Sequence, residues 1–114
     1  MADPDRSLSI LVIEDDAAHG KAVAEGLARN GHRVSVAGSG TEGLRRVAAD
    51  DPDLVVTDLR LQDLDGMQVV AKCRELRGDR ATPQCIVVTG FGTVEGAVQA
   101  MAAGALNFLQ KPVD

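Results

Sequence analysis

The chain has 114 residues, 45% apolar and 25% charged, which suits one small domain and leaves no room for two. That balance excludes a disordered tail, and the longest apolar runs, about five residues, fall far short of the roughly 20 that a membrane helix needs. A net charge of −5, with no Trp or Tyr, argues against a domain that itself grips or base-stacks nucleic acid.

Residues 1–7 open with Met1-Ala2-Asp3-Pro4-Asp5-Arg6, an acidic stretch without an apolar core. It reads as a flexible leader and carries no secretory signal. Ser9–Ile13 is an apolar, β-branched run that stops at Glu14-Asp15-Asp16, as expected of a parallel strand buried on both faces. Asp16 is the expected N-cap of a helix over Ala17–Asn30, with Ala18, Ala22, Val23 and Leu27 on one face and Gly31 closing it. Arg33–Ala37 alternates like a half-buried strand near a sheet edge. Ser39-x-x-Glu42 is a capping box for a helix over Thr41–Ala49, with Leu44, Val47 and Ala48 inward.

Pro52 restarts the chain as a strand over Asp53–Thr57, again followed by an acid, Asp58. A loop over Leu59–Gly66 leads to a helix over Met67–Arg77, with Val69, Val70, Cys73 and Leu76 on one face. Beyond Gly78-Asp79 and Pro83 comes the strand Cys85–Thr89. Thr93 caps a helix over Val94–Ala103, and Ala105–Gln110 forms a fifth strand closed by Lys111-Pro112. Strands alternating with helices specify an α/β, doubly wound, five-stranded parallel sheet. Cys73 and Cys85 form no C-x-x-C pair, and two cysteines with two distant histidines make neither a disulfide scaffold nor a zinc site. Reduced thiols in a cytoplasmic chain are expected.

Ligands of open α/β sheets bind beyond the carboxyl ends of the strands, at the switch in strand order. In an order 2-1-3-4-5 the first and third strands flank that switch, so Glu14, Asp15 and Asp58 would meet there. Three close carboxylates repel one another unless a cation intervenes, and Mg²⁺ is the economical one. A carboxylate beside Mg²⁺ can also act as a nucleophile toward phosphorus. Phosphoryl transfer asks chiefly for positioning and charge stabilisation, which the Thr89 hydroxyl and the Lys111 ammonium can supply.

The runs Leu11-Val12-Ile13-Glu14-Asp15-Asp16, Val55-Val56-Thr57-Asp58-Leu59-Arg60-Leu61 with Asp65-Gly66, Val87-Val88-Thr89-Gly90 and Phe108-Leu109-Gln110-Lys111-Pro112 resemble receiver domains of bacterial response regulators, over about residues 8–113. The resemblance implies a flavodoxin-like fold with Asp58 as phospho-acceptor, Asp15 as a direct Mg²⁺ ligand, Glu14 as a metal neighbour through water and Arg60 as a ligand through its backbone carbonyl. It further implies Thr89 and Phe108 as a switch pair, and Lys111 as the phosphate-sensing lysine joined to Pro112 by a cis bond. Arg60 and Phe91 would flank the path of hydrolytic water and slow loss of the phosphoryl group. The implied partners are a sensor histidine kinase or phosphotransfer protein and an output domain, most like those of transcription regulators. A homodimer is also expected, with no direct nucleic-acid contact and no membrane. The family's final amphipathic helix is missing from the sequence; a shortened chain that self-associates is expected.

Two other readings compete. Gly38-Ser39-Gly40-Thr41-Glu42-Gly43 matches G-x-G-x-x-G between a strand and a helix, so a dinucleotide-binding domain using Gly38, Gly40 and Gly43 is an alternative. A receiver-like fold that serves only as an unphosphorylated interaction module is the other. Asp63 and Asp65 are read as loop formers, because an EF-hand register would put Lys72 at its twelfth position.

Overall fold

The computed structural model of the protein describes residues 7–90 and 93–111. In chain order the elements are β1 (Ser9–Ile13), α1 (Ala17–Arg29), β2 (Arg33–Ala37), α2 (Gly40–Asp50), β3 (Leu54–Asp58), α3 (Gly66–Arg77), β4 (Gln84–Thr89), α4 (Val94–Ala102) and β5 (Asn107–Gln110). All four strand pairings are parallel and the order is β2-β1-β3-β4-β5, the flavodoxin-like sheet that the family resemblance implies. Among the described residues no helix is long and apolar enough to cross a membrane.

The helices begin where short polar side chains satisfy the first free N–H groups. Asp16 accepts from the His19 N–H, Ser39 from Glu42, Asp65 from Met67 and Thr93 from Gly96. Because Ser39 and Asp65 are the caps, α2 and α3 each start one residue ahead of expectation, at Gly40 and Gly66. Both glycines sit at close approaches: a Cβ on Gly40 would strike Leu64, and one on Gly66 would come within 2.2 Å of the Asp58 carbonyl oxygen. The fifth strand starts two residues late. Gly104, at φ +107, turns the chain out of α4, and the Ala105 N–H is spent on the Ala100 carbonyl at 3.0 Å.

The sheet has two unequal faces. Leu11, Ile13, Val55, Cys85 and Val87 point to one side and are buried under α2, α3 and α4, with Val47, Val69, Val70, Cys73 and Ala100. On that side the Cys85 thiol, hydrogen-bonded to Cys73 and buried, is pushed well above the ordinary cysteine range. On the other side Leu54, Val56, Ile86 and Leu109 are only half-buried and line a groove of about 470 Å³ against α1. The inward face expected for α1 is therefore not closed: Val23 and Leu27 are half-buried, while Ala18 and Ala22 are exposed. Ala48 of α2 likewise faces solvent, leaving Val47 and the half-buried Leu44 to pack against the core. On α4, Val94, Val98 and Met101 follow helical spacing and face outward. Phe91 and Pro112 lie outside the described residues, as do the expectations placed on them; the X-Pro cis bond among the described residues is Thr82–Pro83.

Candidate functional site

Parallel register brings the carboxyl ends of β1, β3 and β4 level, Ile13 beside Thr57 and Asp58 beside Val88. Glu14 follows β1 directly, and its N–H is held by the Ala37 carbonyl at the end of β2. Asp58 is the last residue of β3. Lys111 follows β5, where its N–H bonds the Thr89 carbonyl at 2.8 Å, and its side chain reaches across the end of β4. There Lys111 Nζ donates to Glu14 Oε1 at 2.7 Å and to Asp58 Oδ2 at 2.8 Å. Burial works against the ammonium charge, but the two carboxylates outweigh it and hold the Lys111 pKa above the ordinary lysine value.

Glu14 is only 4% exposed, so its charge must be compensated locally. Besides Lys111, its Oε1 meets His19 Nδ1 at 2.5 Å, from the first turn of α1. Asp58 is more open, and its second oxygen, Oδ1, accepts the Arg60 N–H at 3.2 Å. Glu14, Asp58 and Lys111 thus come together as expected. The third acid does not join them: Asp15 Oδ2 accepts the Gln62 N–H at 2.7 Å, which ties it to the β3–α3 loop. Among the described residues no three His, Cys, Asp or Glu side chains stand together so as to hold a metal. Lys111 Nζ supplies the positive charge between Glu14 and Asp58.

Thr89 ends β4 with its side chain fully buried, beside Lys111. Phe108, one strand over, is half-buried and packs on the core from its edge. Arg60 is exposed at the mouth of the site.

Three participants escaped the sequence reading. His19 carries a faint signal, because an N-cap at Asp16 places it at the third helical position, whose side chain leans back toward the strand end. Gln62 acts through its backbone and leaves no residue-type signal. Asp63 accepts the Gly40 N–H at 2.9 Å, the Thr41 N–H at 2.8 Å and the Thr41 hydroxyl at 2.6 Å, a cap supplied from 22 residues away. These bonds lower its pKa to about 2, the Thr41 hydroxyl contributing most. They also dispose of the dinucleotide alternative. With Ser39 on the Glu42 N–H, the first three N–H groups of α2 are spent on protein oxygens, and a pyrophosphate would meet the Asp63 carboxylate. Gly43, moreover, is packed against Ile13 rather than open to a ligand.

The response regulator receiver domain family matches residues 10–114 of the chain. The chain belongs to that family. Among its relatives, the acid tolerance regulatory protein ActR of Rhizobium meliloti is 38% identical over 111 residues, which cover 97% of this receiver and 55% of ActR. The response regulator MprA of Mycobacterium tuberculosis is 38% identical over 106 residues, 93% of the receiver and 45% of MprA. The receiver thus spans about half the length of these relatives. A solved response regulator from Burkholderia pseudomallei, with a phosphorylated aspartic acid, calcium ion and citrate, superposes with a TM-score of 0.81 at 31% identity. That match covers 92% of the receiver and 60% of the solved chain. Receivers are signalling switches rather than conventional enzymes. A further relative, the transcriptional regulatory protein GlrR of Escherichia coli, is 36% identical over 105 residues, 92% of the receiver and 23% of GlrR.

Proposed function

We propose that the receiver accepts a phosphoryl group on Asp58 from a phosphohistidine of a sensor kinase or phosphotransfer protein, with Mg²⁺, and thereby controls an output domain in a longer parent chain. The supporting observation is the Lys111 bridge between Glu14 and Asp58, which leaves one nucleophilic carboxylate at the sheet mouth paired to a cation that can move to a phosphoryl oxygen. Glu14 and Asp58 offer oxygens only, which suits a hard dication held by one or two carboxylates and waters, with Asp15 and the Arg60 carbonyl as the further ligands that the family resemblance implies. Mg²⁺ would shield the attacking and transferring oxygens from each other. The β3–α3 loop keeps Asp15 at the rim through the Gln62 N–H.

In the transfer an Asp58 oxygen forms a bond to phosphorus as the phosphorus–nitrogen bond to the donor imidazole breaks, the electron pair returning to the ring. The added charge draws the Thr89 hydroxyl and Lys111 Nζ toward the phosphoryl group. Phe108 then turns into the space Thr89 vacates, and the α4–β5 surface changes shape. This is a shift between pre-existing states. Phe108→Ala would retain phosphorylation and lose output; equal output from variant and wild type discards the switch role. Arg60, with Phe91, hinders hydrolytic water, so an Arg60→Asn, Phe91→Ala variant loses phosphate faster than the wild type.

The test is intact-protein mass after incubation with acetyl phosphate, with and without Mg²⁺, beside Asp58→Ala. A phosphoryl increment that requires both Mg²⁺ and Asp58 is expected. An increment retained by Asp58→Ala, or none in the folded wild type, would overturn the proposal.

A further inference from the structure

The motif that marks the site ends at Asp16, yet the most buried carboxylate in it is gripped by a residue beyond the motif. Three features bring His19 to Glu14. Asp16 caps α1 through the His19 N–H at 3.1 Å, which starts the helix with only three residues between it and β1. Side chains on a helix lean toward its N-terminus, so the His19 ring points back over the strand end. Gly20, the buried residue of α1, lets the helix lie against Glu14: a Cβ there would sit 3.4 Å from Glu14 Cβ. The ring thereby closes one side of the small cavity that Glu14, Asp58 and Lys111 line.

Glu14 Oε1 carries both of the strong bonds to this carboxylate, from His19 and Lys111. Among the described residues Oε2 has only a long contact of 3.4 Å with the Asp16 N–H. An ionised carboxylate only accepts, so the ring nitrogen facing it must carry the proton. The two donors differ in what they can do next. Lys111 also bonds Asp58 and would leave Glu14 for a phosphoryl oxygen, whereas the position of His19 is set by its helix.

We infer that His19 is a positioning residue of the cation site, donating from Nδ1 to hold the Glu14 carboxylate toward the dication when Lys111 departs. This rests on the Mg²⁺-dependent reading above. Partners behind a metal-binding carboxylate or imidazole typically set metal affinity by about 10–100-fold.

The test is calorimetric titration of the full chain with Mg²⁺, comparing wild type, His19→Leu and His19→Asn, with circular dichroism as the check on folding. The Asn amide nitrogen stands the same number of bonds from the backbone as Nδ1, and Leu fills similar space without a donor. We expect His19→Leu to bind Mg²⁺ about tenfold more weakly or worse, and His19→Asn to stay within about threefold of wild type. A folded His19→Leu that binds as tightly as wild type, or tighter, overturns the inference, as does an Asn variant as weak as Leu. If His19→Leu does not fold, His19→Gln replaces it, its nitrogen one bond too far out. Weaker binding than His19→Asn supports the inference, and binding equal to wild type overturns it. A wild type that takes up no Mg²⁺ overturns both this inference and the reading beneath it, whereas equal affinities across the series overturn this inference alone.

Discussion

The two faces of the sheet are built from alternate residues of the same strands, yet they meet very different surroundings. Along β3, Val55 and Thr57 are sealed under the helices of one side, while Leu54 and Val56, which alternate with them, look into the groove beside α1. The difference lies in what packs on each side, since both sides are apolar in sequence. One side has three helices pressed to contact distance through glycines and small residues; among the described residues the other has α1 alone. A change of one methyl group should therefore be felt on the first side and tolerated at the groove positions of the second, though not at Ile10 and Val12 of β1, each only 2% exposed.

The sharpest way to break this contrast is to add an atom where the covered side meets the site. Gly66→Ala would drive a Cβ into the Asp58 carbonyl and Leu59, with no flexible side chain to yield. A loss of about 3 kcal/mol is expected in urea unfolding, and a variant of near wild-type stability would show that the β3–α3 junction is loose. Next come paired truncations of neighbours on β3. Val55→Ala should cost about 2–3 kcal/mol and Val56→Ala under about 1 kcal/mol, from the methyl groups lost and the cavity left. Equal costs would mean the groove is closed in solution, as self-association would close it.

An added methyl on the open side should have the opposite sign. Gly26 lies in α1, where a Cβ would meet only the Arg29 guanidinium at 3.8 Å. Gly26→Ala should stabilise by about 0.5–1 kcal/mol through lost unfolded-state freedom, read as a raised melting temperature. The smallest effect concerns Asp63, which is exposed. Its pKa falls to about 2 from an unfolded value of 3.8, so the folded state favours the ionised form. That contribution is complete above pH 4 and fades as pH falls toward 2. The stability difference between wild type and Asp63→Asn should shrink over that window; a constant difference would show that Asp63 acts by packing alone.

The alternation of strands and helices, the caps at Asp16, Ser39 and Thr93, and the meeting of Glu14, Asp58 and Lys111 were legible because each rests on local spacing or a strand end, whereas the strand order came with the family resemblance. What escaped depended on contacts between distant segments. Asp63 looks like any loop acid until α2 arrives to be capped, and Gln62 serves through an N–H that any residue but proline possesses. The exposed α1 face was misread for a related reason. Helical periodicity at Ala18, Ala22, Val23 and Leu27 marks a face suited to burial, without saying how much of it the fold covers.

The buried thiols have a practical consequence. Lacking Trp and Tyr, the receiver is nearly silent to intrinsic fluorescence, so the usual optical record of its opening is missing. Cys73 and Cys85 are wholly enclosed on opposite sides of the α3–β4 contact. An alkylating reagent reaches them only when that contact parts, and its reaction rate becomes a clock for the excursion. The receiver thus carries its own reporter of how often its closed side breathes, readable by mass in the same experiment that reads phosphorylation.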